Sequence, residues 1–141
     1  MGERNVKNRD RLLILFACVF ALLALSNALK PLQLEGAKTG FVLFGTRLEG
    51  TWNVLGSFVM AGYLAIYAFG IWKMKRFVVG MAHLYAFYVM VNIIMFPYRT
   101  GLGVETLDAR IVIFYAIYSV LGIGFSVFAA VVLTRRKHLF S

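Results

Sequence analysis

The chain has 141 residues, 61% of them apolar and only 15% charged, with a formal charge of +9. A water-dissolved domain of that length carries far more polar surface, so the composition excludes a soluble globule and leaves one compact membrane bundle, residues 1–141, with no separate soluble domain. The basic surplus flanks apolar runs instead of forming a patch, which excludes a nucleic-acid reader and suits anionic lipid headgroups.

In chain order, Arg4, Lys7, Arg9 and Arg11 precede a first apolar run at about 12–29. A signal peptide competes for this run, with Ser26-Asn-Ala28 as its cleavage site. A signal core spans about 7–15 apolar residues, however, and this run is longer, so a retained membrane helix is expected. Cys18 has no second thiol with which to pair, which removes paired-cysteine chemistry. Ala17, Ala21, Ala24 and Ala28 recur at helical spacing and form a seam where another helix can approach closely.

Residues 30–51 then break the pattern with Pro31 and Gly36, Gly40, Gly45 and Gly50 around the tetrad Phe41-Val-Leu-Phe44. Unpaired backbone is costly against lipid, so this Gly-rich loop is expected at the outer interface. There Phe41 and Phe44 dip into the acyl boundary while Arg47 and Glu49 stay wet; these four are the candidate interface for a partner.

A second span covers about 52–72, bracketed by Trp52 and Trp72 as an aromatic belt requires, with Glu49 and Thr51 expected to cap its start. Ser57, Ala61 and Ala65 give it a row of small residues. Lys73, Lys75 and Arg76 make a tight connection, so the second and third spans are antiparallel neighbours. The third span, about 77–96, is expected to stop at Pro97. Within it Met81, Tyr85, Tyr88 and Asn92 share one helical face, and His83 points elsewhere. The fourth span, about 111–133, follows Asp108, carries the row Ser119, Gly122, Ser126 and Ala130, and ends in Arg135, Arg136 and Lys137. The fold expected is therefore an all-α integral membrane protein, a four-helix transmembrane bundle.

Ten of the fifteen Lys and Arg residues lie before the first span, between the second and third, and after the fourth. The positive-inside rule places those segments, and so both termini, in the cytoplasm. Compact size and no transit-like leader point to a bacterial inner membrane.

Chemistry is sparse. Intramembrane ionisable groups mark transport or proton relay, and His83 is the single one in the spans, with no carboxylate beside it. His138 lies in the basic tail, so a two-histidine haem site inside the bundle is not written here, although one axial histidine to a pigment is. No metal-ligand cluster, phosphate loop or nucleophile motif appears, and no cofactor is specified. An enzyme would need Glu35, Glu49, Glu105 and Asp108 to converge outside the spans. The amide of Asn92 needs a partner in hydrocarbon, for which Ser119, Ser126 or Tyr115 across the bundle are candidates.

Two functions follow as expectations. The first is a small non-catalytic accessory or scaffold subunit of a larger membrane complex, or a homo-oligomer. The alternative is a binder or carrier of a small amphiphile, such as a lipid, quinone or pigment, in a bundle cavity covered by the 30–51 loop. Its candidate ligand-binding residues are Tyr85, Tyr88 and Asn92, with His83 beside them in sequence.

Overall fold

The computed structural model describes residues 11–32, 41–100 and 109–141. Four helices hold most of them: α1 (Arg11–Leu29), α2 (Gly50–Trp72), α3 (Phe77–Thr100) and α4 (Ala109–Arg135). Each is long and apolar enough to cross a membrane. At 1.5 Å per residue the 23 residues of α2 extend about 34 Å, against a hydrocarbon core of about 30 Å. Large apolar side chains face outward all along the bundle; Trp52 is 70% exposed, Val120 72% and Phe114 75%. A soluble monomer rarely shows so continuous an apolar surface, whereas lipid solvates it directly. The protein is a multi-pass membrane bundle.

The core forms where one aromatic ring from each helix converges. Phe20 of α1, fully buried, sits 4.3 Å from the ring of Tyr67 on α2, 5.5 Å from Tyr85 on α3 and 5.8 Å from Phe125 on α4. Small residues bring the helices close enough for that meeting: Ala17 and Ala24 of α1, Ala61 and Ala68 of α2, Ala82 and Ala86 of α3, and Ala129 and Ala130 of α4 are all buried. Lipid offers no hydrophobic drive for helices to associate, so such close van der Waals contact supplies it.

At one end of the bundle, α2 turns through Lys73–Arg76 into α3, and the last residues fold onto this turn. Phe140 is 2% exposed, its carbonyl accepts from Arg76 Nε at 3.1 Å, and the Ser141 N–H donates to the Met74 carbonyl at 2.9 Å. The start of α1 joins them, with Leu13 and Ile14 beside Ile71 and Met74. This is the basic end of the molecule.

The opposite end carries a two-stranded antiparallel hairpin, β1 (Val42–Leu43) and β2 (Thr46–Arg47), with Val42 opposite Arg47 and Leu43 opposite Thr46. Its turn, Phe44-Gly45, has φ of 49° and 75°. Positive φ at both central residues matches the right-handed strand twist, and glycine takes the second without steric cost.

Three expectations are corrected here. Pro97 does not end α3, which continues to Thr100. A proline at 97 removes the N–H that would bond the Ile93 carbonyl, but the Tyr115 hydroxyl of α4 donates to that oxygen at 2.6 Å, so the freed acceptor keeps a partner and the helix runs on. Thr51 does not cap α2: the helix begins at Gly50, with φ of 54°, so Thr51 lies within the first turn and Glu49, the residue before the helix, makes no side-chain cap. Finally, Phe41 does not point outward; it is 5% exposed and lies inside the bundle.

Candidate functional site

The hairpin is held by side chains from α2 and α3, which part around it. On α2, Asn53 Oδ1 accepts the Phe41 N–H at 2.7 Å, with the Ser57 hydroxyl 3.5 Å from the same oxygen. On α3, the Tyr88 hydroxyl donates to the Val42 carbonyl at 2.7 Å, and Asn92 Oδ1 accepts the Gly45 N–H at 3.2 Å. Arg99 Nη1 reaches the Thr46 hydroxyl at 3.3 Å. These bonds pair part of the non-helical backbone that lies against the spans. Phe41 and Gly45 are buried there, whereas Leu43, Phe44, Thr46 and Arg47 stay exposed, so the hairpin sits at the end of the bundle with two residues anchored inside. Two glycines permit the approach. A Cβ on Gly56 would stand 2.5 Å from the Phe41 ring, and one on Gly45 would stand 2.5 Å from the Met95 carbonyl carbon.

Asn92 thus finds its partner in the hairpin and not across the bundle on α4. Its amide nitrogen donates to the Tyr88 carbonyl at 2.9 Å, one turn back. Ser119 and Ser126 bond carbonyls of their own helix, those of Tyr115 and Gly122, and the Tyr115 hydroxyl is spent on Ile93.

Beside the hairpin a cavity of about 590 Å³ opens between the helices, unenclosed where Tyr118 and Leu121 of its wall are 60% and 66% exposed. All four helices and the hairpin wall it. The ring cluster floors it through Tyr85 and Phe125, with Val19 and Leu64 alongside. Toward the hairpin end its wall becomes polar, with Ser26, Asn27 and Lys30 from α1 and the turn after it, Tyr88 and Asn92 from α3, and Tyr118 from α4. Lys30 Nζ stands 5.8 Å from the centre of the Phe41 ring, which stacks on Tyr88 with centroids 6.2 Å apart. A second hollow of about 450 Å³, almost wholly apolar, lies between α2, α3 and the hairpin and shares Met60, Tyr85 and Tyr88 with the first as common wall.

The structure brings Tyr85, Tyr88 and Asn92 together on this cavity and leaves His83 off it. His83 is exposed; its Nδ1 lies 2.7 Å from the Val79 carbonyl, an acceptor only, so that nitrogen carries the proton, and Nε2 lies 3.4 Å from Thr134 Oγ1 on α4. Of the four candidate interface residues, Phe41 is buried beneath Lys30, whereas Phe44, Arg47 and Glu49 are exposed at the hairpin end. Glu35, Glu105 and Asp108 lie outside the described residues, as do Gly36 and Gly40. Among the described residues no group of His, Cys, Asp and Glu is placed to hold a metal ion.

Lys30, Asn53 and Tyr118 enter the site without having been singled out by sequence. Asn53 had a readable signal: with Asn27 and Asn92 it is one of three amides inside the apolar spans, at the same end as both, and buried amides come with acceptors or donors to satisfy. Lys30 looked like an ordinary flanking charge. No protein-family model, curated protein or solved structure matches this chain.

Proposed function

We propose that the protein binds a small amphiphile within its bundle. The observation that supports this reading is the cavity of about 590 Å³, whose volume lies within the usual range of about 300–1,000 Å³ for small-molecule sites and whose wall is apolar at the ring cluster and polar toward the hairpin. Fully packed bundles leave few voids larger than a water molecule, and this one lies beside a hairpin bonded to two helices. Both termini and the Lys73–Arg76 turn face the cytoplasm of a bacterial cell, because the basic residues gather at that end. The cavity then opens toward the outer half of the membrane.

A second reading has its own support. A groove of about 370 Å³ on the outside of α1 and α2 is lined by Ala17, Ala21, Ala24, Ala65 and Ala68, and small side chains on a lipid-facing surface admit a further helix closely. On this reading the protein is a non-catalytic accessory subunit of a membrane complex.

One experiment separates them. The chain is extracted into polymer nanodiscs without detergent and its mass is read natively beside that of Val89→Trp, which fills the cavity wall. Amphiphile binding predicts a retained small molecule, enriched over bulk lipid, that Val89→Trp loses while thermal unfolding is unchanged. A lone protomer carrying nothing beyond bulk lipid would sink the first reading. A stable protein partner retained by both variants supports the second.

A further inference from the structure

We infer that the cavity selects a single-chain amphiphile with an anionic head, a carboxylate or a phosphate, seated against Lys30. This rests on the amphiphile reading and names the class of ligand.

The argument starts from the hydrogen-bonding capacity of the wall. No carboxylate lines the cavity among the described residues, and the one charged group there is the Lys30 ammonium. Among the described residues Lys30 has no carboxylate partner; its single contact is the face of Phe41, 5.8 Å from nitrogen to ring centre. A cation over an aromatic face recovers only part of the hydration an ammonium gives up on partial burial. The remaining deficit is what an anion would offset.

The neighbouring groups point the same way. Ser26, Tyr85 and Tyr118 are lining residues whose hydroxyls have no hydrogen-bond partner among the described residues, and Ser26 and Tyr118 are also exposed outward. Asn92 spends its oxygen on Gly45 and one amide hydrogen on Tyr88, which leaves a second hydrogen toward the cavity. The Tyr88 hydroxyl already donates to Val42 and the Asn27 amide nitrogen gives one hydrogen to Leu23, so Asn27 keeps its oxygen as an acceptor and its second amide hydrogen as a donor. The ammonium and the two spare amide hydrogens can only donate, and the three hydroxyls can donate or accept as the head requires. An acceptor-rich head satisfies them, an alcohol does so only in part, and a cation is repelled.

Position fits as well. From Lys30 back to Val19 the cavity follows eleven residues of α1 and the turn after it, about 16 Å at helical rise. Its deep half, among Val19, Leu23, Leu64 and Phe125, is apolar apart from the Tyr85 hydroxyl. A head at Lys30 therefore places an unbranched tail along the cavity toward the ring cluster.

The test uses the full chain in nanodiscs of neutral phosphatidylcholine, with displacement of radiolabelled hexadecyl phosphate as the readout and unlabelled palmitate, hexadecanol and inorganic phosphate as competitors. Hexadecyl phosphate and palmitate are expected to bind at least about tenfold more tightly than hexadecanol, as a charge-assisted bond to the head requires. Lys30→Met collapses that gap toward the hexadecanol level, and Lys30→Arg keeps it. Inorganic phosphate fails to compete, because the tail supplies much of the affinity. Equal binding of hexadecanol and hexadecyl phosphate, or a gap that survives Lys30→Met, overturns the anionic-head assignment and leaves amphiphile binding standing. Competition by inorganic phosphate at the concentrations of hexadecyl phosphate makes this a free-anion site and overturns it too. Failure of every tailed probe to bind, hexadecanol included, removes the amphiphile reading itself.

Discussion

Asn92 carries more of the site than any other side chain, because it closes a hydrogen bond that backbone elsewhere depends on. Replacing it by leucine leaves the Gly45 N–H, buried against Met95 and Phe96, without an acceptor. The cost of such an orphaned buried donor is roughly 1–3 kcal/mol, and Asn92→Leu is expected to lower bundle stability by that amount when unfolding is titrated with sodium dodecyl sulfate in mixed micelles. No change in the midpoint would mean the hairpin is not held there. The amide was legible in the sequence as a group that must find a partner in hydrocarbon; the partner was not. Ser119, Ser126 and Tyr115 have the right chemistry on a neighbouring helix, yet serines in helices are readily satisfied by the carbonyl one turn back, and the Tyr115 hydroxyl is drawn to the acceptor freed by Pro97. Phe41 misled for a related reason. In an apolar tetrad outside the spans it has the composition of an interfacial anchor, and only the missing side chain at Gly56 creates the slot that takes its ring inside.

The helices themselves were readable, since apolar length and flanking charge are both local properties, and the four runs fall within α1 to α4. Their ends were less so. The end of α3 depends on whether a second helix repairs the bond that Pro97 breaks, and that repair lies 22 residues away in sequence. A double-mutant cycle tests it. Tyr115→Phe strips the Ile93 carbonyl of its donor and is expected to cost about 0.6–1.7 kcal/mol, the range for polar contacts between membrane helices. Pro97→Ala restores a backbone N–H to the same oxygen, so in that background Tyr115→Phe becomes close to neutral. If the two changes are additive in the unfolding titration, the hydroxyl has no such role. The hairpin was harder still to foresee. Its strands have two residues each, its turn is Phe-Gly and not Asn-Gly, and the register is set by contacts to α2 and α3 instead of by a hydrophobic alternation of its own.

At the scale of the whole molecule the governing quantity is the distribution of charge between the two ends. Arg11, Lys73, Lys75, Arg76, Arg135, Arg136 and Lys137 belong to the end where α1 begins, α2 turns into α3 and the last residues dock on that turn. The hairpin end holds Lys30, Arg47, Arg99 and Arg110, with Glu49 among them. Each Lys or Arg near an anionic leaflet contributes about 1 kcal/mol, and a positive charge resists translocation, so in the proposed orientation the more basic end stays where the chain is made. The fold adds a constraint that charge counting lacks: because Phe140 packs onto the Lys73–Arg76 turn, the last residues and that turn must share one side, so α3 and α4 cross the membrane as a pair. Single cysteines in a Cys18→Ala background read the side directly. A membrane-impermeant maleimide applied to intact spheroplasts of an expressing bacterium is expected to label Phe44→Cys, at the exposed hairpin turn, and to leave Lys75→Cys unlabelled until the membrane is opened. Labelling of Lys75→Cys in closed spheroplasts would reverse the orientation and turn the mouth of the cavity, with Lys30 in its wall, toward the cytoplasm. The pool of amphiphiles able to reach the site would then be the inner leaflet's instead of the outer's.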